Sequence, residues 1–219
     1  MGARVDSMDQ FRGYTVAGMF LVNFIGSFVA TPAIFKHHNT YVSYADTIMP
    51  QFFFAVGFAL RLVMLRNVET MGKAAAARKA VWRCVALAVT GLVIHHLDGN
   101  YRAWKELEEG GWAGVLGNAF WRSPFQALTH IAVTSLWVLP VIAGSGRARL
   151  GFGAVSGLAH LGLSAWFWYD LLQARRVIDG GPLGFLTWAI PTLAGSFAYD
   201  AVKEHGTAAA RVVLRWSSL

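Results

Sequence analysis

A single cysteine, Cys84, stands in an apolar run, so no disulfide within the chain can brace the fold. Charge is scarce as well: 14% of the residues are Asp, Glu, Lys or Arg, against about 25% in an average soluble domain. Acidic residues are the scarcer kind, 12 against 19 Lys and Arg. The resulting basicity does not indicate nucleic acid, because the sequence holds no compact basic patch and no RNA-binding motif. No internal repeat and no separate soluble domain can be read from it. The start does not resemble a secretory signal, since Asp6 and Asp9 accompany Arg4 and Arg12. The apolar run that follows also exceeds the roughly 7–15 residues of a signal core. It is read as a retained helix.

Apolar and aromatic residues are abundant. They make up 55% of the 219 residues, with 9 Trp and 15 Phe. A bilayer-spanning helix needs about 20 mostly apolar residues. Six runs are candidates: 13–35, 45–65, 80–97, 126–144, 151–172 and 183–200, with a partial seventh near 207 in TAAARVVLRW. The expected fold is all-α: a polytopic transmembrane bundle of about six spanning helices, forming a single integral membrane domain over residues 1–219. If the helices alternate, Arg4, Arg12, Arg66, Lys73, Arg78, Lys79, Arg147, Arg149, Lys203 and Arg211 fall on one side. The positive-inside rule makes that side, and the N-terminus, cytoplasmic. His37 and His38 then face outward, as do His95, His96 and Asp98. The segment WAGVLGNAFWR in the long 98–125 loop suits an interfacial position anchored by Trp112 and Trp121. Membrane lipid is the expected surrounding, and a homo-oligomer is compatible with the sequence.

Polar groups at membrane depth suggest function. Asn23, His37, His38 and Asp46 converge on one end of the first helical hairpin. A neutral imidazole can accept a proton from an amine or hydroxyl, or attack an acyl group itself. Asn23 can donate to a developing oxyanion, and its depth in the run points it toward other helices. Asp46 can fix a histidine tautomer or bind a cationic amine. The plainer readings are an interhelical hydrogen bond for Asn23, a helix N-cap for Asp46 and a solvated loop for the histidine pair. His130 and His160 read as interhelical polar residues. A metal cluster built from His37, His38, His95, His96 and Asp98 is the weaker alternative, because no spacing of the HExxH kind occurs, and no metal is expected. Arg12 could bind an anion or pair with Asp9. Arg61 can snorkel to the cytoplasmic interface, where a phosphate-rich cofactor or lipid phosphate could meet it.

Three stretches, RVDSMDQFRGYTVAGMFLVN, FKHHNTYVSYAD and IMPQFFFAVGFALRL, together resemble the opening of membrane acyltransferases related to heparan-alpha-glucosaminide N-acetyltransferase. The matching residues include Arg4, Ser7, Asp9, Phe11, Arg12, Gly13, Val22, Asn23, Phe35, Lys36, His37, Ala45, Asp46, Pro50, Phe52, Phe54 and Gly57. Later, PFQALTHIA and GGPLGFLTWAIPTLAGSFAYD are similar to further family segments. The resemblance implies transfer of an acetyl group from cytosolic acetyl-CoA, the acyl donor, to an amine or hydroxyl of a sugar on the far side. It implies a catalytic role for His37, or for His38 if the register shifts, with Asn23 in support and Arg12 and Arg61 toward the donor. It also implies more helices than the six read here, so the chain is expected to be C-terminally incomplete relative to the family. Two alternatives remain at this stage: a non-enzymatic transport or scaffold protein of the same fold, and a histidine-rich metal or haem protein.

Overall fold

The computed structural model describes residues 6–38, 41–96, 104–105, 108–109, 111, 126–174 and 180–206. Among the described residues the chain is helical and has no strand. Seven α-helices cover most of the described residues: α1 Asp6–Ile25, α2 Tyr44–Met71, α3 Lys73–His96, α4 Ala127–Ile142, α5 Gly146–Leu163, α6 Tyr169–Ala174 and α7 Phe185–His205. Single 3-10 turns precede α2 and α7 at Ala33–Phe35 and Gly181–Leu183. The partial seventh span near 207 and the segment with Trp112 and Trp121 lie outside the described residues.

Local chemistry explains the helix ends. Asp6 and Asp9 sit in the first turn of α1, where negative charge complements the helix dipole. The apolar run continues to Phe35, but the helix does not. It stops at Ile25, and the Thr31 hydroxyl donates to the Ile25 carbonyl. Pro32 follows, and a proline disfavours helix in the residue before it. The first candidate span is therefore a helix only through its first half. α2 ends where Gly72 takes φ 80° and its N–H donates to the Val68 carbonyl at 3.0 Å, a left-handed glycine cap. Lys73 then opens α3 at once. Ser145 caps α5, its hydroxyl oxygen accepting from the Ala148 N–H at 3.3 Å. α5 runs into α6 through a π-helical turn at Ser164–Trp168. Within that turn Trp166 is 79% exposed and Trp168 only 4%.

The chain divides into two compact units. One holds residues up to Leu62 together with those from Pro191 onward; the other is Val63–Ile190. In the first, α1 packs on α2 through Val22, Ala45 and Ile48, with Met19, Phe35, Tyr44 and Phe52 around them. α2 and the later part of α7 approach backbone to backbone. A Cβ on Gly57 would run into the Thr192 carbonyl, and one on Gly195 into the Phe54 carbonyl. Small residues permit such approach between apolar helices. In the second unit α3 packs along α4, with Gly91 against Leu128 and Thr129. The Ser156 hydroxyl accepts from the Trp137 indole N–H at 3.0 Å and donates to the Leu186 carbonyl at 2.8 Å.

Two described helical stretches, Tyr44–Met71 and Gly146–Gln173, are long and apolar enough to cross a membrane. α4 is apolar but has 16 residues, which at about 1.5 Å per residue fall short of a ~30 Å hydrocarbon core. Large apolar side chains stand on the outside of the helices, including Phe24 at 72% and Leu158 at 67% exposure.

Candidate active site

The link between α1 and α2 is held by aromatic packing. The Phe35 ring lies edge-on to Tyr44, with centroids 5.8 Å apart, which fixes the 3-10 turn against the start of α2. The Lys36 ammonium donates to the Val29 carbonyl at 3.2 Å. His37 therefore leaves a braced segment and reaches back over the first turn of α2.

Asp46 is the third residue of α2, not its N-cap. One carboxylate oxygen, Oδ2, accepts from both the backbone N–H and the hydroxyl of Ser43, each at 3.0 Å. A side chain at the third helical position reaching back to the residue before the helix is half of a capping box. The spacing Ser43-x-x-Asp46 is visible in the sequence, and Ser43 is the site residue that sequence reasoning overlooked. The other oxygen, Oδ1, lies 2.8 Å from His37 Nδ1. An ionised carboxylate can only accept, so Nδ1 carries the hydrogen and Nε2 keeps its lone pair. The Asp46 side chain is 25% exposed and that of His37 68%, so the free nitrogen faces an accessible region.

His38 is placed differently. Its Nε2 lies 2.8 Å from the Ala33 carbonyl and 2.8 Å from the Tyr41 hydroxyl. Its ring stacks on Tyr41 at 4.2 Å between centroids. A carbonyl oxygen can only accept, so Nε2 is the protonated nitrogen and is occupied in holding the link.

Asn23 is on the exposed side of α1 rather than between helices. Thr15, Gly18 and Val22 form the buried stripe of α1, and Asn23 stands about 100° around the helix from Val22. Val22 packs with Ala45, so their chain neighbours Asn23 and Asp46 flank the same contact between α1 and α2.

The two arginines part company. Arg12 is exposed and 3.9 Å from Asp9. Arg61 does not snorkel: its guanidinium grips Asp200 of α7 with Nε to Oδ1 at 3.0 Å and Nη2 to Oδ2 at 3.3 Å. Sequence reasoning had no local signal for this partner, which is 139 residues away. Arg61 is buried and the Asp200 side chain is 32% exposed. Breaking one half of a buried pair strands the other charge, and the partial exposure of Asp200 reduces the cost. Arg61→Met is expected to lose about 2 kcal/mol of stability, and Arg61→Met with Asp200→Leu to recover most of it, as read by thermal unfolding in detergent.

Of the outlying histidines, His130 is fully buried on α4. His160 places Nε2 3.4 Å from the Ser164 hydroxyl in the next turn of its own helical run. The side chains of His95 and His96, and Asp98, lie outside the described residues. Among the described residues no group of three or more His, Cys, Asp or Glu side chains could hold a metal ion.

No curated protein and no solved structure shows a significant match to the chain. A family model does: "Heparan-alpha-glucosaminide N-acetyltransferase, catalytic" matches residues 4–217, which takes in all of the site just described and extends the likeness far beyond the first 65 residues. The chain belongs to the heparan-alpha-glucosaminide N-acetyltransferase catalytic family.

Proposed function

We propose that this chain is a membrane acetyltransferase in which His37 is the general base. Family membership supports the acetyltransferase type of function. The observation that carries the assignment of the base is the 2.8 Å contact between His37 Nδ1 and Asp46 Oδ1, because it directs the basic nitrogen away from the protein. Acetyl-CoA, as donor substrate, supplies an acetyl thioester. His37 Nε2 takes the proton released as the acceptor amine or hydroxyl bonds to the acetyl carbon, and returns it to the departing sulfur as the C–S bond breaks. Asp46 holds the imidazole in the required tautomer and steadies its protonated form. Asn23, at the same end of the hairpin, polarises the acetyl carbonyl through its amide N–H. His38 positions the link and is not the base. Arg12 offers an exposed guanidinium to the donor's phosphates, whereas Arg61 is committed to Asp200.

In this reading the chain crosses the bilayer several times, the N-terminus is cytoplasmic and the acceptor is a sugar amine or hydroxyl on the opposite side. The distribution of Lys and Arg between alternate loops supports that orientation. The exposed apolar side chains of α1, α3 and α5 support contact with lipid. The test uses the protein reconstituted in liposomes, with radiolabelled acetyl-CoA on one side and glucosamine on the other. Label is expected on glucosamine only when the donor is on the side bearing the basic loops. Absence of transfer by folded protein in both orientations would overturn the proposal.

A further inference from the structure

We propose that the outer face of α3 is a binding site for one anionic phospholipid, its phosphate held by Arg78, Lys79, Trp82 and Arg83 and its acyl chains laid along Val85, Val89 and Val93. The inference needs a membrane around the chain and is independent of the acetyl-transfer chemistry. The packed side of α3 is a line of small residues. Ala76, Ala80 and Cys84 are buried, and Gly91 continues the line against Leu128 and Thr129 of α4. At about 100° per residue, Trp82, Val89 and Val93 point the opposite way. Trp82 is 67% exposed, and the three valines are exposed as well.

This face changes character along its length. Arg78, Lys79 and Arg83 are exposed in its first half. After Arg83 the helix has no Lys, Arg, Asp or Glu up to its end at His96. α3 carries no acidic residue at all. Among the described residues none of the three cations is in an ion pair. Their charge is therefore available to an outside anion.

The dimensions fit one leaflet. Arg78 to Arg83 covers about 7.5 Å of helix, enough for a headgroup phosphate. Val85 to Ile94 covers about 14 Å, close to half of a ~30 Å hydrocarbon core. Trp82 stands at the junction, where an indole ring meets chains on one side and its N–H finds a polar acceptor on the other. A soluble phosphate compound would match the cations and leave the valines unused, whereas a phospholipid satisfies both halves at once. The orientation read from the loops turns this end of α3 toward the cytoplasmic leaflet, whose lipids carry negative charge.

The test is native mass spectrometry of the purified full chain in non-ionic detergent. It is titrated with phosphatidylglycerol or with phosphatidylcholine of identical chains. Wild type is expected to take up one phosphatidylglycerol and to bind it roughly tenfold or more tightly than phosphatidylcholine. Arg78→Gln, Lys79→Gln and Arg83→Gln should each weaken phosphatidylglycerol about fivefold, the worth of one cation near a lipid surface. Arg147→Gln, which removes an exposed cation from α5, should leave the affinity unchanged. All these variants change exposed side chains, so thermal unfolding should match wild type and confirm that each is folded. Equal affinity for the two lipids, or an equal loss in Arg147→Gln, would overturn the proposal. So would displacement of the lipid by inorganic phosphate or by coenzyme A at equal concentration, since the cations would then form a site for a soluble phosphate. Lipid binding is read without donor or acceptor, so failure of acetyl transfer would leave this result untouched.

Discussion

Replacing His37 by alanine is expected to lower acetyl transfer by roughly 100- to 10,000-fold, the usual worth of a general base, while the protein unfolds at nearly the wild-type temperature. The stability expectation follows from exposure, since the His37 side chain is 68% exposed and its bond among the described residues is to a carboxylate that Ser43 also holds. His38→Ala should show the opposite pattern. It removes a stacked ring and a bond to the Ala33 carbonyl, so it should loosen the link and cost less than about tenfold in rate. Asp46→Asn keeps the volume but can present the wrong hydrogen-bonding partner to Nδ1, and should fall between the two. The measurement is initial rate in liposomes alongside thermal unfolding of each variant. Equal losses in His37→Ala and His38→Ala would mean that the pair acts as a unit and that the tautomer argument fails.

The largest effect on stability is expected at the crossing of α2 and α7. A side chain on Gly57 has no rotamer that avoids the Thr192 carbonyl, because the clash begins at Cβ and meets backbone. Gly57→Val is expected to cost roughly 3 kcal/mol or more, since neither helix can yield without losing packing elsewhere. Gly195→Val should cost about as much for the reciprocal reason, its Cβ meeting the Phe54 carbonyl. The two changes push apart the same pair of helices, so together they should cost less than their sum. Thermal unfolding in detergent measures each term. A Gly57→Val protein as stable as wild type would show that the helices do not meet at this distance.

The contact between His37 and Asp46 in the candidate site was legible from residue types and spacing, because it is local: His37, Asp46 and the overlooked Ser43 lie within ten residues of one another. The end of α1 was misread because apolar residues continue past the break, so hydropathy concealed what Gly26 and Pro32 signal. Arg61 was misread because its partner is on the last described helix, and no rule of spacing connects residue 61 with residue 200. The facing of Asn23 depends on which stripe of α1 packs inward, and Thr15, Gly18 and Val22 settle that only in three dimensions. His37 and His38 are adjacent in sequence and chemically alike. Only their partners, a carboxylate for one and a carbonyl and a tyrosine for the other, tell them apart.

The π-helical turn at Ser164–Trp168 has a consequence for comparing this chain with its relatives. Such a turn holds one residue more than an α-helix needs for the same backbone path. A homologue without that residue should align with a one-position gap between 163 and 169 and still place the residues beyond it on the same sides. If the gap were ignored, every later residue of α6 would be assigned about 100° around the helix from its true direction. An alignment that respects it should pair Trp168 of this chain with an inward residue and Trp166 with an outward one.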